Sequence, residues 1–205
     1  MRSNLLSTAL TVLLFTLSGV EGLASAAAKQ KPASPRQKPG RVPHAMMTLK
    51  RIGPSAFELQ SPRGAHVTMA TVVASTTSVD ERSGDIRIRS LEDGKNAIFT
   101  YETGGLKIVH LGALDHLLTK DQVARLGSVD VLMVPVGGDA VRAHAVVGQL
   151  KPKYLIVPMH YQDIEAFRKA EDPVTRNFET VAGNTYSIDP ANLPKEPKII
   201  VLDYK

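Results

Sequence analysis

Apolar positions between Gly105 and Tyr161 fall into three short continuous runs separated by two amphipathic segments. Leu106–Leu111, Val129–Val134 and Tyr154–Met159 show little alternation, the pattern of strands buried on both faces. Lys120–Leu126 and Asp139–Leu150 read as helices. Thr119 followed by Gln122 matches a capping box, and Gly127 suits a helix C-terminus. Asp139 is a helix N-cap, with Val141, Val146, Val147 and Leu150 on the inner face and Pro152 as the stop. Strand, helix, strand, helix, strand predicts α/β layering.

Elsewhere the pattern is that of shorter strands. Thr48–Ile52 and Ala56–Gln60 pair across Gly53-Pro54-Ser55, and Val67–Ala74 follows the turn Ser61–Gly64. Ser75–Ser83 is polar and reads as loop, with Asp85–Arg89 as an edge strand. Asn96–Glu102 and Leu106–Leu111 form a hairpin across Thr103-Gly104-Gly105. Ile164–Ala170 reads as a short helix, and Thr185–Ile188 and Lys198–Asp203 as closing strands.

The N-terminus has a different character. A short positive start at Met1–Arg2 precedes an apolar run at Leu5–Leu17, too short to span a bilayer comfortably. Ala24-Ser25-Ala26 fits an A-x-A cleavage site, so residues 1–26 read as a signal peptide. The expected destination is export, to a periplasm or the medium, with no stable membrane span after cleavage. Residues 27–45 are rich in Lys, Pro, Ala and Gln and read as a disordered tether. The folded domain is expected over residues 46–205.

Charge follows the same division. The 205-residue chain carries +5. Up to Arg41 six basic residues face Glu21 alone, and the remainder holds nineteen basic and nineteen acidic residues. The basic excess therefore belongs to the leader and tether, which contain no stacking aromatic between Lys29 and Arg41. Nucleic acid is not an expected partner.

Candidate chemistry gathers where the buried strands end, the usual place for ligands in open α/β sheets. His110 lies at the end of the first strand with His116 beyond it, Gly137-Gly138 follow the second, and His160 follows the third. With no Cys, neither thiolate zinc sites nor thiol nucleophiles are available. No G-x-S-x-G elbow and no G-x-G-x-x-G is present. Asp80/Glu81 and Glu92/Asp93 sit in polar stretches and read as solvated. His144 reads as exposed in mid-helix, and Gly137-Gly138 as a tight turn.

Three segments carry a family resemblance: HLGALDH at His110–His116, VDVLMVPVGG at Val129–Gly138 and PMHY at Pro158–Tyr161. Met47–Pro62 and Asp93–Asn96 add to it. Together they resemble the metallo-β-lactamase-fold hydrolases, in particular the zinc-dependent branch with ascorbate-6-phosphate lactonase-like proteins. The resemblance implies an αββα sandwich with a one- or two-metal cluster at the sheet edge. It also exposes departures. The family's H-x-H-x-D-H is absent, and the Val67–Asp93 interval is too short, so the N-terminal half is shortened. Val79 stands where a ligand His is expected, and Ala113 where the bridging Asp belongs. His160 alone matches a family ligand.

Three readings stay open. In the first the chain is a degenerate member with no cofactor, serving as a binding or structural module for an unidentified small molecule. In the second His110, Asp115, His116 and His160 hold one divalent metal (Zn, Mn or Fe) that hydrolyses small esters, lactones or phosphoesters. In the third a homo-oligomer covers apolar sheet surface left by the shortened half.

Overall fold

The computed structural model describes residues 46–71, 78–94, 96–160, 164–169 and 177–203. The signal-peptide and tether expectations lie outside these residues. In chain order the elements are β1 (Met47–Arg51), β2 (Phe57–Gln60), β3 (His66–Met69), β4 (Asp80–Ser83), β5 (Ile86–Asp93), β6 (Asn96–Thr103) and β7 (Leu106–His110). Then come α1 (Lys120–Leu126), β8 (Val131–Pro135), α2 (Ala140–Leu150), β9 (Leu155–Met159), α3 (Ile164–Lys169), β10 (Phe178–Val181), β11 (Thr185–Ile188) and β12 (Lys198–Leu202).

Two sheets form. The smaller, wholly antiparallel, has the order β11-β1-β2-β3. The larger has the order β10-β12-β9-β8-β7-β6-β5-β4. It is parallel from β10 to β7 and antiparallel from β7 to β4.

The continuous apolar runs serve two cores at once. Ile108, Val131, Met133, Leu155, Val157 and Leu202 meet Met47, Leu49, Phe57 and Leu59 between the sheets. On the other face of the large sheet, Val109, Leu132, Val134 and Ile156 pack on Leu126, Val146, Leu150 and Phe167 of the three helices. Each such side chain contributes about 1.5–3 kcal/mol. A strand with one wet face would alternate; these do not because neither face is wet.

The caps form as the sequence predicts. Thr119 Oγ1 accepts from Gln122 N at 3.2 Å, and Gln122 Oε1 accepts from Thr119 N at 2.8 Å. Asp139 Oδ1 accepts from Arg142 N at 2.9 Å.

Several expectations are corrected. Asp80–Ser83 is the edge strand β4, not loop. Its charged side chains protect an open edge from further pairing. Asp85–Arg89 is therefore not an edge, and that strand runs on to Asp93 between β4 and β6. The third strand is His66–Met69; residues 72–74 of the expected Val67–Ala74 lie outside the described residues. Phe178–Val181 is a strand that the sequence reading lacks. Val141 is 78% exposed, and Ala143 takes the inner position instead.

The small sheet turns Thr48, Lys50, Glu58, Gln60, Thr68, Thr185 and Ser187 away from the inter-sheet core. Its outer face is thus polar. At the two ends of β1 the large hydrophobics Met46 and Ile52 are exposed.

Candidate functional site

The carboxyl ends of β7, β8 and β9 open into a cleft of about 630 Å³. Ala113, Asp115, Gly137, Asp139, Arg142 and His160 are among its lining residues. Apolar walls come from Leu114, Pro135, Val136 and Ala166. Arg142 is tied to Asp139 at 3.4 Å. The polar groups facing the cleft include the Asp115 carboxylate, 79% exposed and bonded to His116 through Oδ1, and the half-buried imidazole of His160.

His160 is placed by its backbone. It follows β9 with φ 53°, a left-handed conformation rare for a residue with a side chain. Its N–H donates to Pro54 O at 2.9 Å, and Nε2 lies 3.3 Å from Thr71 Oγ1. Burial, and then the nearby Arg51 guanidinium, hold its pKa below the usual imidazole value. Gly137 makes this placement sterically possible: a Cβ there would lie 2.1 Å from His160 O.

His110 is fully buried between the sheets, edge-on to Phe57. Gly112 N donates to its Nδ1 at 3.1 Å, so the proton sits on Nε2, which donates to Ser55 O at 3.0 Å. Both ring nitrogens are committed to protein partners. Burial pushes its pKa down to about 4, so the ring is neutral at pH 7.

His116 points elsewhere. Nδ1 is 2.9 Å from Asp115 Oδ1 and Nε2 is 3.0 Å from Asp93 Oδ1. The hydrogen bond to Asp115 raises its pKa most, with further help from Asp93; protonated, the ring donates to both carboxylates. Asp93 is buried, with a side chain 2% exposed. Its Oδ1 also accepts from Gln122 Nε2 at 2.6 Å, while Oδ2 has no partner among the described residues.

The four residues singled out from the sequence are thus divided. His160 and Asp115 share the cleft, His110 lies behind it within electrostatic reach of His160, and His116 is turned to Asp93. Zinc coordination needs free lone pairs converging on one point. The Nδ1 lone pair of His110 already accepts a hydrogen bond from Gly112 N–H, and both nitrogens of His116 face carboxylates. The bridging position holds the Ala113 methyl. Among the described residues no three His, Asp or Glu side chains are grouped to hold a metal ion. The donor set as placed does not fit the family's metal centre.

Three participants escape the sequence reading. Asp93 reads as solvated, yet it anchors His116 and α1. Thr71 shows no pattern at all. Arg51 left one trace: it follows Met47 and Leu49 in alternation, which puts a guanidinium on a core-facing position.

A profile of the β-lactamase superfamily domain matches residues 38–160. A solved structure from Thermotoga maritima, provisionally described as a Zn-dependent hydrolase of the metallo-β-lactamase superfamily, is 27% identical with a TM-score of 0.66. The match covers 76% of this chain and 98% of that one. No functionally curated protein matches. The resemblance seen in HLGALDH, VPVGG and PMHY, the two-sheet architecture and the family match agree: the chain belongs to the β-lactamase superfamily, with a metallo-β-lactamase-like α/β fold.

Proposed function

We propose that this is an exported member of the superfamily that has given up metal-dependent hydrolysis and binds a small molecule in the cleft beside His160. The observation that carries this reading is the state of His110. Its two nitrogens serve Ser55 and Gly112, so it is a structural residue behind the cleft. With Ala113 in place of a bridging carboxylate, His160 remains as the one imidazole lining the cleft among the described residues. The cleft itself persists, with apolar walls and a few polar groups, the usual make-up of a small-molecule site.

The test is metal analysis of the mature protein after dialysis, followed by zinc titration in a calorimeter. The expected result is far less than one zinc, manganese or iron per chain and no saturable zinc binding of micromolar or tighter affinity. A stoichiometric metal that a His160→Ala variant fails to retain overturns the proposal. It would restore the mononuclear metal site and, with it, the hydrolase as the reading to test by turnover.

A further inference from the structure

A metal cluster at this edge of the fold would do mechanical work as well as chemistry, since shared ligands lock separate loops together. Something else must hold these loops here. The first hairpin loop, Gly53-Pro54-Ser55, supplies acceptors to both strand-end histidines: Pro54 O to His160 N and Ser55 O to His110 Nε2. Among the described residues this loop is gripped by the side chain of Arg51. Arg51, 1% exposed, donates from Nε to Gly53 O at 2.9 Å and from Nη2 to Pro54 O at 3.1 Å. Nη1 donates to Leu202 O at 2.8 Å, at the end of β12. One guanidinium therefore joins the small sheet, the large sheet and the loop that seats both imidazoles.

We propose that the buried guanidinium of Arg51 replaces the metal as the fixed cation of this site and is the positioning residue for His110 and His160. The inference rests on the metal-free reading above and adds what maintains the site without metal. Three features support it. The cation stands close enough to His160 to influence its protonation. Pro54 O is shared, accepting from both Arg51 Nη2 and His160 N, so movement of the guanidinium is transmitted directly to the end of β9. The planar fork of an arginine reaches three carbonyls in fixed directions, which a lysine ammonium on its flexible stem does not. Burying a cation is costly unless its donors are satisfied. Three donors of Arg51 meet backbone carbonyls of the hairpin loop and of β12, contacts that suit a structural cation rather than a catalytic one.

The experiment is NMR-detected hydrogen exchange on the full mature chain, comparing wild type with Arg51→Met and Arg51→Lys. In wild type His110 Nε2–H and the His160 amide should be protected, with chelator present or absent. In Arg51→Met both should exchange at least tenfold faster, while amides of the β5–β6 hairpin keep their wild-type rates. Arg51→Lys should restore little of the protection. A folded Arg51→Met variant with unchanged exchange at both histidines overturns the proposal. Wild type alone gives a second reading should the variant not fold. Arg51 Nε–H and the His160 amide belong to one network, so they should open together with matched protection; an Arg51 Nε–H that exchanges like an exposed arginine overturns it. Metal found on the wild-type protein would overturn both the functional reading and the replacement of a metal by Arg51, whereas unchanged exchange in a metal-free Arg51→Met variant overturns the positioning role alone.

Discussion

Gly137 shows how much of a site turns on one missing carbon. In the sequence, Gly137-Gly138 reads as a tight turn. Only Gly138 has a positive φ, 83°; Gly137 is required for a different reason, the close passage of His160 O. That contact joins the end of β9 to the loop after β8, and no local pattern announces it. Gly137→Ala should destabilise the protein by about 1–3 kcal/mol, as overpacking against backbone does. Gly148→Ala is the control. It lies in α2 with nothing near its added Cβ, and should stabilise by roughly 0.5–1 kcal/mol through helix propensity. Urea unfolding of both variants checks the pair, and a neutral Gly137→Ala would mean the two segments can move apart freely. His160 was legible as a pocket residue because strand-end position and family pattern coincide. The engagement of both His110 nitrogens was not, because it depends on Ser55, fifty-five residues away.

At the scale of elements, the continuous apolar runs and the capping signals were nearly sufficient. α1 begins and ends where Thr119 and Gly127 place it, and β7, β8, β9 and β12 lie within a residue or two of their apolar runs. The misread segments share a cause: their residues are chosen for where the element sits, not for its type. β4 is charged because it is an edge. Val141 and Ala143 exchange faces because the real helix phase is set by contact with β8 and α3. His144 is the instructive case. Read as exposed in mid-helix, it is half-buried and stacks on Phe167, with ring centroids 4.4 Å apart and planes at 17°. Its Nε2 also bonds Phe167 O at 2.8 Å. α3 has six residues, too few to persist unaided. His144→Ala should therefore act on α3 first. Removing the stack and the hydrogen bond should cost about 1–2 kcal/mol. Amide exchange within residues 164–169 should rise well before that of β8 or β9, and uniform protection loss across the domain would contradict this local role.

For the whole molecule, layering was readable because strands dry on both faces demand a layer on each side, here a second sheet and a set of helices. What composition conceals is that equal charges and a handful of histidines do not titrate alike once folded. His110 is buried and neutral, with its pKa pushed down to about 4 from the ordinary 6.5. The unfolded chain takes up that proton first, so stability is complete above about pH 6.5 and falls as pH drops toward 4, by roughly 3 kcal/mol in total. His160, also depressed by burial, acts in the same direction. His116 works oppositely. Asp115 and Asp93 raise its pKa, so its contribution is whole below pH 6.5 and disappears as pH climbs through the folded value. Asp115, whose pKa is lowered below 3.8 by His116, loses its contribution only at more acidic pH. Stability should therefore peak near neutrality, with an acid limb belonging to His110 and His160 and an alkaline limb belonging to His116. Urea midpoints measured from about pH 4 to 9 test this. His116→Gln should flatten the alkaline limb and leave the acid limb in place. An acid limb absent between about pH 4 and 6.5 would show that His110 is not held neutral between the sheets, and would remove the ground for treating it as a structural residue.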